Sequence, residues 1–171
     1  MEAGGPSAWR LEVGLQGFLR ALARLEAVEH DPDGTSAVVA TIECVMWLTT
    51  TVELMAPTRA DIPQLGLSDI ELDLVGGLRW ARNQGVHRLV SSVEAADGSI
   101  YDRSYPRQYW HWAWVERTEI EQRHDLRDDP VNGRAYDNAL AGRPAIPILR
   151  EAGDVVAKAV LAQDRRSARA T

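Results

Sequence analysis

The chain has 171 residues, of which 45% are hydrophobic and 26% are charged, and its formal net charge is −6. This length and composition are those of one globular domain, so extensive disorder and a collagen-like repeat are disfavoured. The single cysteine, Cys44, excludes an internal disulfide and a multi-cysteine zinc site.

The first two helices are predicted by the spacing of their apolar residues. Over residues 8–29, leucine and phenylalanine recur every three or four positions, which is the periodicity of an amphipathic helix. A Pro/Gly turn at 30–34 ends this helix. The second helix is predicted over 35–56, with Thr35 or Ser36 as its cap. Its middle is apolar on nearly every side, which indicates the central helix of a bundle.

A proline-containing connection ends near Gly66 and leads into the third predicted helix. Ser68, followed three residues later by Glu71, has the form of a capping box. The helical pattern continues from there to Val93.

The character of the sequence changes after the Asp97-Gly98 turn. Trp110, Trp112 and Trp114 alternate with other residues, which is the periodicity of a strand with one aromatic face. We expect a short strand here, which a hairpin would complete. Residues 116–132 are heavily charged and end in turn residues, so they predict a surface loop.

A last helical pattern covers residues 133–160 and contains two prolines, and residues 165–171 are expected to fray. We therefore predict a single domain over 1–171. Its fold class is mainly α: an antiparallel bundle of four to five helices with a short aromatic β insertion at about 99–132.

The N-terminal segment indicates where the protein is located, and the net charge indicates whether it binds nucleic acid non-specifically. The N-terminal segment has neither the positive charge nor the apolar block of a signal peptide, so we expect a cytoplasmic protein with no membrane partner. The negative net charge argues against non-specific coating of nucleic acid. Function should therefore depend on a defined site.

Arg82 occupies an unusual position, inside an apolar stripe of the third helix. The other members of the stripe are Val75, Leu78, Val86, Leu89 and Val93. An arginine there must reach solvent or find an anion that offsets its lost hydration. Glu43, on the apolar second helix, is the expected carboxylate partner. His87 lies about a turn and a half beyond Arg82, and the long arginine side chain can bring the two head groups to one patch.

An arginine and a histidine together suffice for RNA cleavage without a metal ion. The imidazole, with an ordinary pKa near ~6.5, can take the proton of the ribose 2′-hydroxyl or protonate the leaving 5′-oxygen. The guanidinium binds two phosphate oxygens and keeps its charge.

The segment Arg82-Asn83-Gln84-Gly85-Val86-His87 resembles the signature of the HEPN (higher eukaryotes and prokaryotes nucleotide-binding) superfamily, an arginine and a histidine with four to six residues between them and a polar residue directly after the arginine. Members are small helical bundles that usually dimerise, and many are metal-independent endoribonucleases of toxin–antitoxin and antiphage systems. The resemblance implies a homodimer that acts on RNA without metal or cofactor. It implies Arg82 and His87 as the catalytic pair, Asn83 as a supporting polar residue and Glu43 as an acidic helper.

Three further residues are candidates for RNA binding. Arg103 and Arg107 alternate with tyrosines, and Trp112 can stack on a base. Such a tryptophan row more often packs on the bundle or on a partner subunit. His111 and the His124-Asp125 pair fit no metal-ligand spacing, so no metal site is predicted.

Other interpretations of the same residues remain open. Arg82 and Glu43 can form a purely structural ion pair, with His87 on the helix surface. At the level of function, the alternative is a noncatalytic interaction module, an antitoxin, immunity or regulatory partner that docks another protein through its aromatic face. A small-molecule or nucleotide pocket between the aromatic insertion and the bundle is a third interpretation.

Overall fold

The computed structural model describes residues 8–29, 34–88, 93–97, 110–123 and 128–170. Within these ranges the chain is mainly helical, which confirms the predicted fold class. The α-helices are α1 (Ala8–Ala27), α2 (Thr35–Met55), α3 (Asp69–Arg88), α4 (Arg117–Arg123), α5 (Pro130–Ala139) and α6 (Ala145–Ala170). The strands are β1 (Val93–Asp97) and β2 (Trp110–Trp114), and a 3₁₀ helix covers Arg59–Leu65.

Helix α2 lies at the centre of the bundle and packs against α1, α3 and α6, as its apolar middle predicts. Its buried side chains include Cys44, Leu48 and Val52. Burial of each large apolar side chain stabilises the fold by roughly 1.5–3 kcal/mol. Helix α6 approaches α1 closely because residue 153 is glycine, and a Cβ there would overlap the ring of Phe18.

The start of α3 is fixed as the sequence predicts. The Glu71 carboxylate accepts from the Ser68 backbone N–H at 2.7 Å and from its hydroxyl at 2.9 Å, and the Glu71 N–H donates to the Ser68 hydroxyl at 3.4 Å. The connection before it ends at Gly66, whose φ of 70° suits glycine. The predicted cap of α2 is wrong, because the cap position is occupied by Gly34, which makes no side-chain cap hydrogen bond.

The predicted strand exists and is completed by a partner. Strands β1 and β2 pair antiparallel, with Val93 opposite Trp114 and Ala95 opposite Trp112. The extension of α3 to Val93 is therefore wrong, because α3 ends at Arg88 and Val93 opens β1. Pairing with the tryptophan strand decides the conformation there, whatever the local helical spacing indicates.

Residues 116–132 were expected to form a surface loop, and this prediction is wrong for most of them. Helix α4 buries Ile120 in the core. Helix α5 begins at Pro130, where the Asp129 carboxylate accepts from the Asn132 N–H at 3.2 Å. Asp129 and Pro130 of this segment therefore begin a helix, and Glu119 and Glu121 lie on the exposed side of α4.

The last helical pattern is two helices, not one. A turn at 140–144, with Gly142 at a φ of 68°, separates α5 from α6. Helix α6 continues to Ala170, so residues 165–170 of the tail that is expected to fray are helical in this structure. There the Arg166 guanidinium donates to the Gln64 carbonyl and to the Gln163 amide oxygen, which fixes the end of the helix.

Helix α2 is also long and apolar enough to cross a bilayer, with a mean hydropathy of 1.5 over its best window. Half of that window is buried inside the bundle, and the core helix of a soluble protein has the same composition. The absence of a membrane partner therefore stays a prediction.

Candidate functional site

The Arg82 guanidinium lies at the contact between α3 and α2. Its Nη1 is 2.7 Å from Oε1 of Glu53, and its Nε and Nη2 donate to Oδ1 of Asn83 at 3.4 and 3.2 Å. The side chains of Arg82 and Glu53 are 18% and 33% exposed. Arg82 is therefore fixed by two neighbours and still reaches solvent.

Glu43 is not part of this site, so the predicted Arg82–Glu43 pair is wrong. Glu43 forms an ion pair with Arg24 of α1. It precedes Glu53 by ten residues in α2, which is about 15 Å along the helix axis. The spacing of residues within α2 does not show at which residue α3 crosses this helix. Glu53 is the acidic residue of an earlier helix that contacts Arg82.

A second arginine shares the same carboxylate. Arg79 lies one helical turn before Arg82, and its Nη2 is 3.8 Å from Oε1 of Glu53, with 19% of its side chain exposed. Two cations and one anion leave this cluster with a formal excess of positive charge. Such an excess on partly exposed guanidinium groups attracts phosphate or carboxylate.

His87 lies in α3, five residues after Arg82. Its backbone is therefore about 7.5 Å further along the helix axis and about 140° further around it. The side chain of His87 is outside the described residues. The two motif residues lie within one and a half turns of each other but on well-separated faces of α3, so convergence of their head groups depends on the length of the arginine side chain.

Trp112 cannot serve as a stacking platform for bases, which corrects its predicted role. Only 5% of Trp112 is exposed, and its indole N–H donates to the Val28 carbonyl at 3.3 Å. A base would have to displace this ring from the core. Arg103 and Arg107, the other predicted RNA-binding residues, lie outside the described residues.

Trp112 and Trp114 of the tryptophan strand pack on the bundle, as such a row more often does. Trp114 is 2% exposed, and its ring meets the edge of Tyr136 with 6.3 Å between centroids. The Tyr136 hydroxyl donates to the Val115 carbonyl at 2.6 Å, which joins α5 to the end of β2. The side chain of Trp110 is outside the described residues, as is most of the segment on which an insertion pocket would depend.

Neither nucleophilic nor metal chemistry is visible in the described part of the chain. Burial raises the pKa of the Cys44 thiol to about 12, so this thiol stays protonated at neutral pH. No three His, Cys, Asp or Glu side chains of the described residues are grouped so as to hold a metal ion. The side chain of His111 and the residues His124 and Asp125 lie outside the described residues.

An apolar surface on α1 and α2 was missed by the sequence reasoning. Trp9 is 61% exposed and Trp47 is 36% exposed. Beside Trp47 a groove of about 310 Å³ runs between the helices, and Glu12, Val13 and Arg20 also line it. In the sequence, the signal for this surface was Trp9 and Val13, two apolar residues outside the leucine stripe of α1. We call the surface formed by Trp9, Glu12, Val13, Arg20 and Trp47 the α1–α2 surface.

No family model, curated protein or solved structure matches this chain. The geometry of the Arg82 cluster and the resemblance carried by residues 82–87 are therefore what indicates a function.

Proposed function

We propose that this chain is a HEPN-like, metal-independent endoribonuclease that cleaves RNA through attack of a 2′-hydroxyl on the adjacent phosphate. The observation that carries the proposal is the Arg82 guanidinium, fixed by Glu53 and Asn83 and still 18% exposed. It stands five residues before a histidine on the same helix. A cation held in place before the substrate arrives stabilises the charge that develops at phosphorus.

The donor inventory of Arg82 leaves room for a phosphate. A guanidinium has five N–H groups. One on Nη1 points to Glu53, while Nε–H and one N–H on Nη2 point to Asn83. Each terminal nitrogen therefore keeps a second N–H for bidentate contact with two phosphate oxygens. In this proposal Glu53 and Asn83 are positioning residues, and Arg82 contacts the substrate.

His87 is the proton-transfer group of the proposal. Its imidazole takes the 2′-hydroxyl proton while the bond from O2′ to phosphorus forms and the bond from phosphorus to O5′ breaks. The departing 5′-oxygen takes a proton from solvent. The products carry 2′,3′-cyclic phosphate and 5′-hydroxyl ends. General base catalysis of this kind contributes roughly 10²–10⁴-fold.

A homodimer belongs to the same proposal, and the α1–α2 surface is the face that supports it. Glu12 and Arg20 line the groove eight residues apart on α1, so Gln16 lies midway between them. If two copies of α1 cross antiparallel at Gln16, each Glu12 lies opposite the Arg20 of the other copy. The surface is thus complementary in charge to itself, and exposed tryptophans such as Trp9 and Trp47 are typical anchors of interfaces.

The reaction is tested with end-labelled RNA in EDTA, beside the same strand carrying 2′-O-methyl groups at every position. We expect cleavage of the unmodified strand alone, with 2′,3′-cyclic phosphate on the 3′ ends. Cleavage of the methylated strand, dependence on added Mg²⁺, or no cleavage of a mixed panel of transfer, messenger and ribosomal RNA would each contradict the proposal.

A further inference from the structure

A second cavity lies between α3, α5 and the 3₁₀ helix. Its volume is about 230 Å³. Its walls are mostly apolar, with Ile62, Val75, Val131 and Ala135 among the lining residues. At about 30 Å³ for each water-sized group, it has room for roughly eight such groups. The cavity therefore suits a small ligand with a compact apolar body.

Arg79 lines this cavity and is incompletely neutralised. Among the described residues its partner is Oε1 of Glu53, 3.8 Å away, and Arg82 already holds that oxygen at 2.7 Å. Only 19% of the Arg79 side chain is exposed, so water compensates its charge poorly. A further anion at Arg79 would supply the missing counter-charge.

The other polar groups of the lining are already engaged. The Asn132 amide donates to the Asp129 carboxylate at 2.7 Å. Asp73, six residues before Arg79 on α3, accepts from the Asn138 amide at 2.9 Å. The negative charge of Asp73 in the same cavity disfavours a dianion such as a phosphate monoester. Within the part of the chain that the structure describes, Arg79 is the one cation of the lining, and together with the apolar walls it favours a monoanion.

We propose that this cavity binds a small organic monocarboxylate, with its carboxylate on Arg79 and its apolar body against Val75 and Val131. The guanidinium supplies charge-assisted hydrogen bonds, and the walls supply apolar contact. An aromatic or short aliphatic acid of about nine non-hydrogen atoms has the matching size.

Occupation of the cavity also bears on the Arg82 cluster, and this consequence rests on the proposed function. A carboxylate that takes over Arg79 leaves Oε1 of Glu53 to Arg82 alone. The Arg82–Glu53 pair then tightens, so Glu53 neutralises more of the Arg82 charge and Arg82 attracts a phosphate less strongly. We expect bound carboxylate to raise the KM for RNA, and by linkage we expect RNA to weaken carboxylate binding.

The binding itself is tested by titrating the full chain with sodium benzoate at constant ionic strength, with its neutral analogue benzamide as the control ligand, followed by NMR. We expect saturable benzoate binding with a Kd on the order of 1 mM for a ligand of this size. Loss of the ligand charge or of the Arg79 charge should weaken binding about tenfold or more. Arg79→Gln is the test variant, and Arg150→Gln, at an exposed arginine paired with Glu26, is the matched control.

Val131→Phe fills the cavity from its rim and leaves every charge in place, so it tests the site independently of Arg79. We expect it to abolish benzoate binding while thermal unfolding stays near that of the parent chain. Equal binding of benzoate and benzamide, unchanged binding in Arg79→Gln or Val131→Phe, or no saturation would overturn the proposal. Benzoate binding in a chain that does not cleave RNA would support the cavity and refute only the nuclease.

Discussion

Arg82 and Glu53 form an ion pair across the contact between α3 and α2, with 2.7 Å between Nη1 and Oε1. Both side chains are partly exposed, so the pair contributes only about 0–1 kcal/mol, as partly exposed pairs do. A hydrogen bond to a charged group contributes about 1.5–3 kcal/mol when it is well made. A bidentate phosphate on the remaining N–H groups of Arg82 is therefore favourable, and the pair with Glu53 holds the guanidinium in position for it.

The first prediction separates the two glutamates of α2. Glu53→Gln removes the charge that positions Arg82, so we expect kcat/KM for RNA to fall about ten- to a hundredfold. Glu53→Asp should recover part of that loss, because it restores the carboxylate at a shorter reach. The measurement is single-turnover cleavage of a labelled RNA.

Glu43→Gln is the matched control, because Glu43 is also paired with an arginine on a neighbouring helix. We expect it to leave cleavage within about twofold of the parent rate, as for a surface pair. Equal losses in the Glu53 and Glu43 variants would show that Glu53 has no special relation to the reaction.

The second prediction concerns the stability that Trp112 supplies. Trp112→Ala should cost about 3–5 kcal/mol of unfolding free energy, since it empties a core position. Trp112→Phe should cost less, because it keeps apolar contact and loses the hydrogen bond to Val28, which contributes about 1 kcal/mol. Urea unfolding measures both. A Trp112→Ala chain with parental stability and lost RNA binding would restore the stacking role.

The third prediction is a pH dependence of stability at the start of α3. Hydrogen bonds from Lys158 and Ser68 lower the pKa of Glu71 from its ordinary 4.5 to about 2. Because the folded state holds the carboxylate in its charged form, this stabilisation is complete above pH 4.5. It is lost as the pH falls from there through about 2.

Glu71→Gln should therefore cost about 1 kcal/mol at neutral pH, as the loss of a helix cap does, and lose less stability in acid than the parent chain. Urea unfolding at a series of pH values measures this difference. Glu151→Gln, at a more exposed carboxylate that lies 3.7 Å from Arg143, is the control. If the unfolding free energy of the Glu71 variant fell in acid as much as that of the parent chain, the stabilising role of the Glu71 carboxylate would be refuted.

The fourth prediction tests the dimer through its charges. We expect the parent chain to sediment as a dimer, and Glu12→Arg or Arg20→Glu to weaken that dimer, because each places like charges opposite each other. The double variant that exchanges both charges should dimerise again. A monomeric parent chain, or a double variant no better than the single ones, would assign the α1–α2 surface to another partner.

The sequence predicts those parts of the fold that local physics decides. The leucine spacing of α1 and the reciprocal Ser68–Glu71 contacts lie within a few residues of one another, so both predictions are confirmed. Val93 is different, because its strand conformation depends on Trp114, twenty-one residues away. No periodicity within α3 reports that partner.

The Arg82 site likewise has features that the local sequence predicts and features that depend on how the helices pack. The position of Arg82 in an apolar stripe predicts that it reaches solvent or finds an anion, and it does both, with 18% of its side chain exposed and Glu53 as its partner. Which carboxylate it contacts depends on where α3 crosses α2, so Glu43 was the wrong choice and Glu53 the right one. The burial of Trp112 depends likewise on contacts with Val28 and the bundle, which the aromatic row itself does not reveal.

The most direct test of the central claim is the single-turnover rate of RNA cleavage in EDTA for three matched variants. We predict that Arg82→Ala and His87→Ala each lower the rate about a hundredfold or more. Arg24→Ala, which removes an exposed arginine paired with Glu43, should leave it unchanged. Parental rates in the Arg82 and His87 variants, or an equal fall in all three, would contradict a nuclease site built on Arg82 and His87.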